Sequence, residues 1–206
     1  MRLLALLLLF SAPAWAHPVS YQGAIGVMTW NQPFLADHWV TYSFRPDLAI
    51  AARSMRMQMD EGDLRLYLPQ LDWLVKRWNE THSQANIYVY GGFGGARLDS
   101  AGGTAGMFGI EADAESRKLF VLAKYEGMLS SLVRDFHHGE FRLGIAPYEA
   151  EYDEIAAWFM VQLQYHPSLA RTYAVTPLAR MFYKNVLWEV GSSLDGDWMI
   201  NFMFHF

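Results

Sequence analysis

The last nine residues constrain this chain more than any other stretch. In Trp198-Met199-Ile200-Asn201-Phe202-Met203-Phe204-His205-Phe206, the even positions are all aromatic or aliphatic, and the odd positions are Met, Asn, Met and His. Side chains two apart share one face of an extended strand. One face is therefore wholly apolar and the other semi-polar, as expected where one side of a sheet meets lipid and the other a mixed interior.

The theme recurs along the chain. Phe108, Ile110, Ala112 and Ala114 alternate with Met107, Gly109, Glu111 and Asp113, and Leu119, Val121, Ala123 and Tyr125 face away from Lys124 and Glu126. Phe141, Leu143 and Ile145 alternate with Glu140, Arg142 and Gly144. Turn-rich breaks separate the segments, the pattern of an all-β protein. About twelve strands are predicted, near 22–30, 37–45, 47–58, 63–78, 84–96, 105–114, 118–127, 135–147, 153–165, 171–182, 185–192 and 197–206. Their lengths suit tilted membrane strands of roughly 9–11 residues. Ala114-Glu115-Ser116-Arg117 is the expected hairpin turn in the middle of the chain.

Two stretches are ambiguous. Leu68 to Trp78 reads almost as well as an amphipathic helix. An even strand count favours a strand, with a bulge near Pro69 that switches the outward set from Leu64, Leu66 and Leu68 to Leu71, Trp73 and Val75. Met128 to Val133 is readable as a short loop helix. The Gly91-Gly92-Phe93-Gly94-Gly95 run marks a bend or a close approach of chain segments, not a phosphate loop.

Composition narrows the architecture. Aromatic residues make up 16% of the chain and charged residues only 18%, against about a quarter charged in a typical soluble domain. Apolar residues are finely interleaved with polar ones rather than blocked into helical spans. A net charge of −5 with no Lys/Arg run argues against nucleic acid as a partner. The absence of Cys removes disulfides, thiolate metal sites and cysteine nucleophiles together. At the start, Met1 and Arg2 precede an apolar run from Leu3 to Phe10, and Ala14-Trp15-Ala16 is an A-x-A cleavage site. Residues 1–16 are expected to be a signal peptide and 17–206 a single barrel domain, with His17 as the new N-terminus.

The terminal strand with Phe202, Phe204 and Phe206 at alternate positions resembles the C-terminal signal of bacterial outer-membrane β-barrel proteins. The resemblance implies a transmembrane antiparallel β-barrel of about twelve strands in a Gram-negative outer membrane, with both termini periplasmic. It implies that Trp198, Ile200, Phe202, Phe204 and Phe206 are read by the barrel-assembly machinery, and that the surrounding partners are outer-membrane lipid and lipopolysaccharide. The short connections argue against a porin with a long constriction loop.

Three constellations could carry function. The first is a set of charges expected to face the lumen: Arg45, Arg65, Asp72, Glu111, Asp113, Lys124, Glu126, Glu140, Arg142 and Glu189. They suit either a selectivity lining or a paired network that fills a narrow interior; the filled lumen is the favoured reading. The second is a soft metal site of His17, Met199, Met203 and His205, a ligand set for copper, weighed against methionine as ordinary filler. The favoured expectation is that no cofactor binds. The third is a hydrolytic set from His138 and Glu140 with Ser192, Ser193 and Asp195, which lacks any local motif. Trp30, Trp39, Trp73, Trp78, Tyr148, Tyr165 and Trp198 are expected as interfacial girdle residues. The reading favours a non-enzymatic envelope barrel, structural or conducting small solutes, over a copper-handling protein, a barrel hydrolase or a soluble β-sandwich.

Overall fold

The computed structural model describes residues 17–151, 153–167 and 172–206; the expected signal peptide lies outside them. Twelve strands run in chain order: β1 (Ile25–Gln32), β2 (Leu35–Tyr42), β3 (Leu48–Met59), β4 (Gly62–Asn79), β5 (Ser83–Leu98), β6 (Ala101–Ser116), β7 (Leu119–Ser130), β8 (Phe136–Ile145), β9 (Ala156–Tyr165), β10 (Tyr173–Tyr183), β11 (Val186–Ser192) and β12 (Trp198–His205). Each pairs antiparallel with its sequence neighbour, and β1 pairs with β12 from Gly26↔His205 to Asn31↔Ile200, which closes the barrel. Closure leaves no unpaired edge. The even count places both ends of the barrel chain at one rim, here the near end; the opposite rim is the far end.

The alternation read from the sequence is the wall of this barrel. In β12, Met199, Asn201, Met203 and His205 are buried inward, while Trp198, Ile200 and Phe202 are exposed outward, as is Phe206 just beyond the strand. Large outward side chains such as Ile50, Phe93, Phe159 and Val161 form an apolar outer face. So extensive an exposed apolar surface is the pattern of a lipid-facing barrel wall.

Three local expectations are corrected. The β6–β7 turn is Arg117-Lys118, because β6 continues to Ser116 with Glu115 turned inward. Residues 128–130 continue β7, so no helix forms there. The chain from Leu68 to Trp78 is a strand, as preferred, but nothing switches at Pro69. Leu64, Leu66 and Leu68 point inward, and Tyr67, Pro69, Leu71, Trp73 and Val75 all point outward. The register shift falls between Leu74 and Lys76 instead, and it turns Arg77 toward Asn86 and Tyr88.

The wall is uneven. β4 has 18 residues and β5 and β6 have 16 each, whereas β1, β2 and β12 have 8 and β11 has 7.

Candidate functional site

The lumen is layered along the barrel axis. At the far end, Met57, Leu64, Leu66, Leu68, Met107 and Met128 interlock with Phe136 as a fully buried apolar layer. β3, β4, β6, β7 and β8 all contribute to it. Parity places these side chains inside, and the lumen at that level is narrow enough for them to meet.

Beneath it lies a polar layer built around Arg53. Its Nε donates to Asp37 Oδ1 at 2.9 Å, and Nη2 donates to Asp37 Oδ2 at 2.6 Å and Glu126 Oε1 at 2.9 Å. The guanidinium lies 4.3 Å from the ring centre of Trp39. Tyr90 Oη donates to Glu126 at 2.8 Å, and His138 Nδ1 is 3.1 Å from the same carboxylate. A second hub is Glu189, which accepts from Arg142 at 3.1 Å, Arg180 at 2.7 Å and Asn201 at 2.7 Å. Arg142 also lies 2.7 Å from Glu140. Buried charges persist only when paired in this way.

The near end is not filled. A cavity of about 560 Å³ remains, lined by His17, Glu111, Asp113, Glu115, Trp158 and Phe182 among others, with Arg117, Glu151 and Lys184 from near-end turns at its mouth. His17 stacks on Tyr88 with ring centres 5.5 Å apart, 3.6 Å from Asp113 and 3.9 Å from Glu115. Burial, and after it the charges of Arg77, His205 and Arg180, push this imidazole down to about 3.

Of the charges expected in the lumen, Asp72, Glu111, Asp113, Lys124, Glu126, Glu140, Arg142 and Glu189 are there. Arg45 and Arg65 are not. Arg45 sits in the β2–β3 loop, paired with Asp47, and Arg65 points outward beside Asp63. Asp37, Arg53, Arg77, Glu115 and Arg180 were missed. Arg53 was within reach, since it shares a face with Ala49, Ala51, Met55 and Met57.

The four soft-ligand candidates do not converge. His205 Nε2 lies 3.3 Å from the His17 carbonyl oxygen. Met199 packs with Phe120, Trp158, Met160 and Leu178, and Met203 belongs to a separate cluster with Met28, Trp39, Tyr90 and Leu187. Among the described residues, no three His, Asp or Glu side chains are arranged to hold a metal ion. Of the hydrolytic set, His138 Nε2 lies 3.7 Å from Glu140, but no serine joins them. His138 is engaged by Glu126 and stacked on His166, while Ser192 and Ser193 hydrogen-bond within their own loop. Trp73, Trp78, Tyr148, Tyr165 and Trp198 are exposed, but Trp30 and Trp39 are turned inward. The Trp39 indole donates to Asp37 at 2.9 Å, a buried partner that the girdle reading overlooked.

No family model matches the chain, and no curated protein does. Solved structures similar to it as whole folds include two of KdgM porin. A KdgM porin in complex with disordered oligogalacturonate superposes with a TM-score of 0.53 at 11% identity, over 89% of this chain and 99% of that one. A second KdgM porin structure gives 0.50 at 12% identity, over the same shares. Together with the closed ring of twelve antiparallel strands and its apolar outer face, this likeness gives the chain the fold of the outer-membrane β-barrel proteins.

Proposed function

We propose that the protein resides in the outer membrane of a Gram-negative bacterium, exported by a signal peptide cleaved after Ala16. Its two termini face the periplasm, and its lumen is a blind vessel open only on that side. The observation that carries this reading is the state of the inward side chains. Met57, Leu64, Leu66, Met128, Gln162 and His166 are all fully buried. An open pore leaves its lining in contact with water, whereas Met57, Leu64, Leu66 and Met128 pack in one cluster with Phe136, on which His166 stacks, and Gln162 donates to Met199. The C-terminal strand supplies the surface for the assembly machinery, and the outer face supplies the surface for lipid and lipopolysaccharide.

The neighbour's oligogalacturonate is a polyanion, and this lumen does not suit one. Its carboxylates outnumber its Lys and Arg side chains, and the best-placed bases are already held by Asp37, Glu126 and Glu189. The test is conductance of the purified barrel in planar bilayers. An electrically silent barrel that nevertheless shifts in gel mobility on heating is the expected outcome. Steady stepwise currents from the native chain would overturn the blind lumen in favour of a small-solute channel.

A further inference from the structure

Three acids on β6, Glu111, Asp113 and Glu115, lie two residues apart and line the near-end cavity. Asp113 Oδ1 accepts from Asn86 at 2.7 Å. Asp113 Oδ2, Glu115 Oε1 and His17 Nε2 are buried and have no hydrogen-bond partner among the described residues. The surrounding bases are committed elsewhere. Arg77 donates to Asn86 and to the Tyr88 hydroxyl, and Arg180 donates to Glu189 while lying 4.4 Å from the Phe120 ring centre. His17 stands 3.6 Å from Asp113 and 3.9 Å from Glu115, too far to hydrogen-bond either acid. Buried carboxylate oxygens without donors are costly, and the two residues that carry these line a space large enough for a ligand. Small-molecule sites commonly enclose about 300–1,000 Å³, with apolar walls and a few convergent polar groups. Here Trp158 and Phe182 supply apolar wall on the same cavity.

We propose that this cavity binds a small organic cation, with its ammonium group between Asp113 and Glu115 and its apolar body along Trp158 and Phe182. This deepens the blind-vessel reading and rests on it. An ammonium donates to both orphaned carboxylates, and aromatic faces attract the same charge. An anion meets repulsion, and a neutral analogue leaves the acids unpaired.

The test is calorimetric titration of the detergent-purified barrel with three probes that share one body: 4-phenylbutylamine, 4-phenylbutanol and 4-phenylbutyrate. Saturable one-to-one binding of the amine is expected, at least about tenfold tighter than the alcohol, with no binding of the carboxylate, as a site built on paired buried acids requires. Glu115→Gln alone and together with Asp113→Asn should each weaken the amine about tenfold or more, while the heat-induced gel shift shows that the barrel still folds. Equal affinity for amine and alcohol would overturn the proposal, as would unchanged affinity in folded variants. So would the absence of saturable binding, the result expected if the amine freed by cleavage before His17 already satisfies these acids. A conducting barrel that still binds the amine would sink the blind lumen alone. A silent barrel that binds none would sink this site alone.

Discussion

Among the described residues, both buried ring nitrogens of His166 have no hydrogen-bond partner, on an imidazole stacked 4.4 Å from His138 and 6.0 Å from Phe136. Burial first, then the neighbouring His138, push it from 6.5 down to about 3. The unfolded chain therefore takes up a proton below pH 6.5 that the folded chain refuses. The stability tied to this residue is complete above pH 6.5 and is lost as pH falls toward 3. His17 acts in the same direction. His166→Phe keeps the stack and removes the orphaned nitrogens. It should stabilise the barrel at neutral pH by about 1–3 kcal/mol and flatten its acid decline, measured as urea midpoints by gel shift across that pH range. A profile as steep as the native one would count against this account. Sequence parity placed most lumen residues but misassigned Arg65 and Trp39, because it identifies two faces without saying which is inside. Sequence alone favours charge inward and aromatic outward. At the far end that rule inverts, since Leu64, Leu66 and Leu68 fill the lumen and Arg65 is left outside.

At the scale of the strands, the glycine run is a close approach rather than a bend. A Cβ on Gly92 would come within 2.6 Å of the Pro69 carbonyl oxygen, and one on Gly94 would overlap that of Tyr67. Gly95 has open space at the same position. Gly94→Ala is therefore expected to destabilise the barrel by about 1–3 kcal/mol through overpacking, whereas Gly95→Ala should stay within about 0.5 kcal/mol. Matched urea midpoints for the pair would refute the close approach. The strand count was legible because period-2 alternation survives in almost every segment. The bulge was misplaced because Pro69 advertises an interruption that the facing glycines absorb, while nothing in the residues around Val75 announces the real one.

For the whole molecule, orientation is the quantity to measure. An epitope inserted at Asp60-Glu61, a far-end turn, should be labelled on intact cells. One at Lys184-Asn185, a near-end turn, should be labelled only after permeabilisation. The reverse pattern would contradict periplasmic termini. The layered lumen was not legible at this scale, because the pairs that build it meet across the ring. Arg53 and Glu126, for example, are 73 residues apart. The uneven wall has its own consequence in a bilayer. At ~3.3 Å per residue and a tilt of roughly 45°, an 18-residue strand such as β4 rises about 40 Å, but an 8-residue strand such as β12 rises only about 19 Å. A hydrocarbon core of about 30 Å is overtopped on one side and undercut on the other. Lipids must shorten or splay along the seam of β11, β12 and β1, at a cost of fractions of a kcal/mol per Å. In the outer membrane proposed for it, the molecule would thin the bilayer on one side, and neighbours that tolerate a pinched bilayer should gather at that seam.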